Sequence, residues 1–499
     1  MRLRTFCRRN SVLLLLIFVF LAAQMFVLSK YRLLIWDEAA YVGIGKYIYS
    51  AGSVGLLETV RPLALPMMLG MVWKLGGGVF AYKALAIAFS AGVVALTYFI
   101  SKEIFDGAYG RYLIAGFAAA LVAFSPGFFS SSAMVLTDIP SVFFALAAVY
   151  LFLKGRLFLS GLFGAVAFMF RFPHFLVLPA VAAAVLFSAH FSTDNMKKWK
   201  VALSGALSGL TRLFFPLLFV FAAFMSANYI LYRSLASGIF EAMLMPIIVA
   251  YKTQANIAYS VSGFSNNLMF YFRVMLEDNL FLLFSVTGLL FLLRQKERKK
   301  LVVAFAAIAY FAYFTLIENK QPRFLIAFLP FAAILSAYWL HKSLFFMRRL
   351  NIGFRFVFAF VLSFLVVFSA VSMAQQDYKY YALLPASESP VVSDVYSYFS
   401  QQSNLTILTT DPVFAVFSDN RFIPYYENPD SALKTYDEQS GNADFVVYTP
   451  HFFPCEKFGP ECENKKQQLF DKIRSGKRLV LNKSVDDRSY YIFSSAHIT

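Results

Sequence analysis

The chain has 499 residues, 59% of them hydrophobic and 15% charged, with a mean hydropathy of +0.62. That is too apolar for a water-soluble globule and long enough for roughly ten membrane spans plus a separate domain. The net charge of +17 does not point to nucleic acid, because 33 Lys/Arg stand against 12 Asp/Glu up to Ala374 and 12 against 16 beyond it. The basic excess therefore lies wholly in the apolar part, where loop topology accounts for it.

In chain order, Arg2, Arg4, Cys7, Arg8 and Arg9 precede an apolar run over 11–29 that no small-residue cleavage site follows, so an uncleaved first span is expected. Further runs of spanning length cover 80–101, 112–130, 137–153, 157–172, 174–192, 203–232, 279–293, 301–317, 323–341 and 354–373, about eleven in all. With the N-terminus in the cytoplasm, the inside linkers and the leader hold twenty of the 33 basic residues, including Lys102, Lys154, Lys197, Arg294, Lys296 and Arg348. Asp37, Glu38, Glu58, Asp138, Glu241, Glu277, Asp278 and Glu318 then fall on the outside, and so does the tail.

Asp37 and Glu38 follow the first span almost directly. They are either the first solvated residues after it or carboxylates kept at a bilayer boundary to bind a polar substrate or move a proton. The external loop 30–79 continues through a short amphipathic stretch, Tyr41 to Ala51, the breakers Gly52 and Gly55, and Arg61-Pro62-Leu63. Leu63 to Leu75 is short for a span and carries Pro66, so a helix lying along the interface is expected there, bordering an apolar groove. Thr137 reads as the cap of the fourth span, with Asp138 after it and Pro140 in the first turn. Arg171 sits at the external boundary between the fifth and sixth spans, where it snorkels or binds an anion, and Lys320-Gln321-Pro322-Arg323 precedes a late span.

Charge returns after Ala374. Strands are expected at Thr406–Thr409, Phe445–Tyr448, Arg478–Leu481 and Tyr490–Phe493, with helices near 393–401 and 464–475. This gives two domains: 1–375, spanning the membrane and including the loop 30–79, and 376–499, a small external α/β domain. Cys455 and Cys462 can pair if the tail lies outside the cell, and two thiols are too few for a structural zinc site.

Carboxylates suit the activation of a hydroxyl or amine nucleophile, and cations at the membrane boundary suit a lipid-anchored phosphate and the charge that develops as it leaves. In Asp37-Glu38 with Tyr41, Arg61-Pro62-Leu63, Thr137-Asp138-Ile139-Pro140 and Lys320-Gln321-Pro322-Arg323, the chain resembles the C-type (GT-C) polyprenyl-phosphate-dependent glycosyltransferases. It resembles in particular the branch of the protein O-mannosyltransferases and aminoarabinose transferases. The resemblance implies a polytopic α-helical membrane protein that moves a sugar from a polyprenyl or dolichyl phosphate to an extracytoplasmic acceptor, with inversion. It implies Asp37 as base, Glu38 and Asp138 as positioning carboxylates, and Arg61, Arg171, Lys320 and Arg323 as ligands of the donor phosphate. Pro62-Leu63 stands where the family often has a second proline. No Asp-x-Asp pair of the oligosaccharyltransferase kind is present, so no cofactor is required, which leaves Mg or Mn open. Two other functions fit the same residues: a transporter or flippase for a lipid-linked sugar, and a noncatalytic receptor that binds a partner through its tail.

Overall fold

A computed structural model describes residues 10–31, 34–58, 61–106, 110–190, 196–232, 261–294, 298–317, 320–384, 394–426, 429–453, 455, 461–485 and 488–495. The leader arginines, Cys7, Glu241, Lys296 and Glu318 lie outside the described residues. In chain order the elements are α1 (Ser11–Lys30), α2 (Trp36–Tyr49), β1 (Gly55–Leu56), α3 (Ala64–Lys74), α4 (Val79–Ile104), α5 (Arg111–Ala123), α6 (Pro126–Ser131), α7 (Asp138–Leu153) and α8 (Leu157–Phe170). Then come α9 (Val177–His190), α10 (Met196–Tyr232), α11 (Val261–Asp278), α12 (Phe284–Leu293), α13 (Arg298–Leu316), α14 (Leu329–Met347) and α15 (Ile352–Leu383). The tail adds β2 (Thr406–Thr409), α16 (Phe414–Phe417), β3 (Arg421–Pro424), α17 (Pro429–Gln439), β4 (Phe445–Tyr448), α18 (Glu461–Gly476), β5 (Arg478–Val485) and β6 (Arg488–Ser494). Two compact units result: Met1–Ser29 with Ala84–Leu384, and Lys30–Lys83 with Pro385–Thr499.

The first unit is helical, and each expected apolar run contains a helix. Four helical stretches, Ser11–Lys30, Val79–Ile104, Val201–Leu231 and Ile352–Leu383, are long and apolar enough to cross a bilayer, and shorter apolar helices fill the other runs. The protein is an integral membrane protein. The run 112–130 breaks at Ser125-Pro126, where proline has no N–H to continue the ladder. Helices α8 and α10 meet backbone to backbone at Gly161, where a Cβ would lie 1.8 Å from the Leu213 carbonyl oxygen. Small residues permit such contacts in lipid, where packing takes over from the hydrophobic effect.

The second unit is built on a six-stranded sheet in the order β1-β3-β2-β4-β6-β5. β1, β3, β2 and β4 run parallel, with Gly55 opposite Arg421, Thr406 opposite Arg421 and Ile407 opposite Phe445. β6 is antiparallel to β4 and forms a hairpin with β5. Alternate strand residues such as Leu408, Val446, Tyr448 and Phe493 bury against Ala432 and Tyr436 of α17 and Leu469 and Ile473 of α18. Cys455 and Cys462 form a disulfide with their Cα atoms 5.2 Å apart.

One expectation changes here. The loop 30–79 is grouped with the tail and not with the membrane helices, because β1 extends the sheet and α2 is tied to the segment after β2. Lys46 Nζ donates to the carbonyls of Val416 (2.9 Å) and Ser418 (3.2 Å) and to Asp419 Oδ1 (2.9 Å). Residues 64–74 form a helix, α3, which packs on α2: a Cβ on Gly70 would lie 2.3 Å from the Gly45 carbonyl oxygen, so only glycine lets the two backbones approach this closely.

Candidate active site

In the second unit, Ile35 begins α2 in extended conformation, which puts Asp37 and Glu38 in the first helical turn, where the helix dipole favours negative charge. The two carboxylates face different surroundings. Glu38 is fully buried; its Oε2 accepts from the Ile35 N–H (2.7 Å) and the Tyr31 hydroxyl (2.8 Å). Lys83, also fully buried, lies 3.7 Å from Glu38 Oε1 and 3.3 Å from the centre of the Tyr31 ring. Glu38 thus caps its own helix and balances a buried lysine.

Asp37 keeps 31% of its side chain exposed and accepts from Arg61 Nη1 at 2.9 Å. Arg61 Nε donates to Glu58 Oε2 at 2.6 Å, and its guanidinium lies 4.9 Å from the centre of the Tyr41 ring. Burial works against the charge of Arg61, but Glu58, Tyr41 and Asp37 outweigh it and hold its pKa well above the usual value. Arg61, expected as a phosphate ligand, is here held by two carboxylates.

In the first unit, Asp138 opens α7 and is ion-paired with Arg171 Nη1. Thr137 precedes the helix without a side-chain capping bond, in contrast to its expected role. Arg171 ends α8 in extended conformation, and its guanidinium lies 4.9 Å from the centre of the Phe324 ring. Arg323 comes within 6.0 Å of the same ring and donates to Gln321 Oε1 at 2.5 Å. Asp138 is therefore paired with Arg171, and Arg171 and Arg323, from separate segments, lie against the same Phe324 ring, a convergence that the sequence does not place.

Lys320 Nζ donates to the carbonyls of Phe314 (2.8 Å), Thr315 (2.7 Å) and Ile317. These contacts close the C-terminal end of α13, so the phosphate role expected of Lys320 has less support than that of Arg171 and Arg323. Its ammonium also lies 5.5 Å from the centre of the Tyr271 ring. Tyr271 meets Phe328 edge-on, and Phe328 lines an apolar cavity of about 270 Å³ with Phe272, Phe311, Val286 and Leu335. The walls of this cavity come from α11 to α14 and include nothing from 63–75.

Lys83 and Tyr31 were missed in the sequence. Lys83 is the only charge in the run 80–101, and a lone charge within an apolar span is a signal that its partner should be sought. Tyr31 carries no such mark.

The helical membrane unit followed by an α/β unit is the architecture of the C-type (GT-C) fold. Residues 78–169 match the family described as dolichyl-phosphate-mannose-protein mannosyltransferase. The chain is similar in fold to the oligosaccharyltransferase of Archaeoglobus fulgidus in its apo form, with a TM-score of 0.58 at 13% identity over 89% of this chain and 70% of that one. The archaeal oligosaccharyltransferase AglB from Archaeoglobus fulgidus, in complex with an inhibitory peptide and a dolichol-phosphate, gives 0.56 at 13% identity over 98% and 74%. ArnT from Cupriavidus metallidurans bound to undecaprenyl phosphate gives 0.55 at 12% identity over 98% and 99%. No curated protein sequence matches the chain.

Proposed function

We propose that the protein is an inverting glycosyltransferase that moves a sugar from a polyprenyl or dolichyl phosphate to an acceptor on the extracytoplasmic side. The observation that carries this reading is the Asp138–Arg171 pair with Arg323 against one Phe324 ring, on a turn, 322–327, that leads directly into Phe328 of an apolar cavity. Guanidiniums suit a phosphate headgroup and an apolar cleft suits the chain attached to it. The acceptor oxygen attacks the anomeric carbon, the bond from that carbon to the phosphate oxygen breaks, and polyprenyl phosphate leaves with the electron pair. A single displacement inverts the centre. Asp37 takes the acceptor proton, Arg61 and Glu58 orient Asp37, and Arg171 and Arg323 stabilise the departing phosphate.

The proposal uses no metal, because guanidiniums meet the charge; EDTA should leave transfer unchanged. The cytoplasmic N-terminus and extracytoplasmic tail are part of the proposal, supported by the basic linkers and by a disulfide that suits an oxidising compartment.

Purified protein in detergent should release polyprenyl phosphate when given a panel of polyprenyl-phosphate hexoses and pentoses. A carrier would leave every donor intact, since detergent abolishes sidedness, and that result would replace this reading with the transporter.

A further inference from the structure

The second unit contains a cavity of about 370 Å³, in the range of small-molecule sites. It exists because β1 pairs with only Arg421 and Phe422 of β3 and the chain then turns away through Leu57 and Glu58. Glu58, Arg421 and Tyr426 form part of one side, and α17 closes the other with Ser431, Thr435 and Glu438. The spacing of these three, four and then three residues apart, puts them on one helical stripe, while Ala432 and Tyr436 of the same helix face the core. α17 thus buries one face and turns a second, polar face toward the cavity.

The lining is chemically selective. Hydroxyls, carboxylates and an aromatic face are present, with both charge signs and no cationic excess, which disfavours a phosphate or polyanion. The cavity is also physically tied to Asp37. Glu58 holds Arg61, which holds Asp37, and the Tyr426 ring stands edge-on to Trp36, the residue before Asp37, at 4.4 Å.

We infer that this cavity receives a sugar of the acceptor, so that the acceptor is a glycan or a glycolipid headgroup and α17 reads it. This rests on the transferase reading and names its substrate class. Hydroxyls and carboxylates bond the sugar hydroxyls, and the tyrosine offers a face for the ring C–H groups.

The test is saturation-transfer NMR on the full-length protein in detergent. The probes are α-1,6-mannobiose, N,N′-diacetylchitobiose, lactose and a hexapeptide containing serine and threonine. At least one disaccharide should receive saturation, with affinity reduced tenfold or more in Thr435→Trp, which fills the cavity, and several-fold in Thr435→Val, which keeps the volume and should fold even where the tryptophan variant does not. The peptide should receive none. Silence from all three disaccharides, indifference to both variants, or Thr435-dependent binding of the peptide would each overturn the inference. Donor turnover in the same samples separates the two readings: turnover without disaccharide binding sinks the cavity assignment alone, and disaccharide binding without turnover sinks the transferase reading and with it the acceptor role, leaving a saccharide site only.

Discussion

Around Arg61, one guanidinium serves two carboxylates, and Asp37 is left partly exposed. Around Asp138 the balance reverses: among the described residues, one carboxylate meets Arg171, and the neighbouring turn adds Arg323 and Lys320. The group around Arg61 therefore carries surplus negative charge and the group around Arg171 surplus positive charge, the latter reached from an apolar cavity through Phe328 and the turn 322–327 before it. Opposite surpluses suit opposite tasks, with a carboxylate readying a nucleophile and cations holding an anion on a lipid.

Removing Arg171 should break the first-unit group most severely. Arg171→Met leaves a carboxylate that is buried to 7% exposure without its cation, which costs about 3–5 kcal/mol and shows as a lower melting temperature in detergent. Adding Asp138→Asn should restore much of the stability but not affinity for polyprenyl phosphate. Recovered affinity would mean that Arg171 serves only Asp138.

The second unit has its own buried carboxylate. Asp411 is fully buried, accepting from Tyr396 (2.8 Å) and Val413 N (2.9 Å), and burial pushes its pKa up from 3.8 to about 7. Below about pH 4 the native and unfolded chains are both protonated there. Between pH 4 and 7 the native chain keeps a proton that the unfolded chain has lost, so stability falls as pH rises, by roughly 4 kcal/mol in the limit. Denaturant unfolding followed by near-UV circular dichroism should show this decline, and Asp411→Asn should flatten it.

Opening the disulfide with Cys455→Ser and Cys462→Ser should cost about 2–3 kcal/mol, as expected for a short loop, in the same unfolding assay. Lys320→Gln should have the smallest effect: about 1 kcal/mol of stability, from the end of α13, and less than a threefold change in affinity for polyprenyl phosphate. A tenfold loss would return Lys320 to the phosphate site.

The membrane helices were legible in the sequence because long apolar runs have few other readings, and β2 and β4 because each alternates or fills a buried strand between turn residues. β1 and β3 were not. Two residues and an Arg-Phe-Ile-Pro tetrapeptide carry no periodicity: β1 is a strand only by pairing with β3 over more than 360 positions of sequence, and β3 by pairing with β2. The same limit applied to the site. Asp37 and Glu38 are indistinguishable as neighbours in sequence, yet one faces a cation beside solvent and the other is sealed against Lys83. Residue type singles out Arg171, Arg323 and Lys320 alike as candidates, whereas the engagement of Lys320 with three carbonyls depends on where α13 ends.

Replacing Asp37 by asparagine keeps the side chain's shape and an acceptor for Arg61 while removing its ability to take a proton. With a donor that the wild-type protein consumes, transfer to acceptor should fall at least a thousandfold in Asp37→Asn while polyprenyl-phosphate binding stays within about twofold, the size expected for loss of a general base plus its positioning. Transfer at the wild-type rate in a folded Asp37→Asn protein would contradict the assignment of nucleophile activation to this carboxylate.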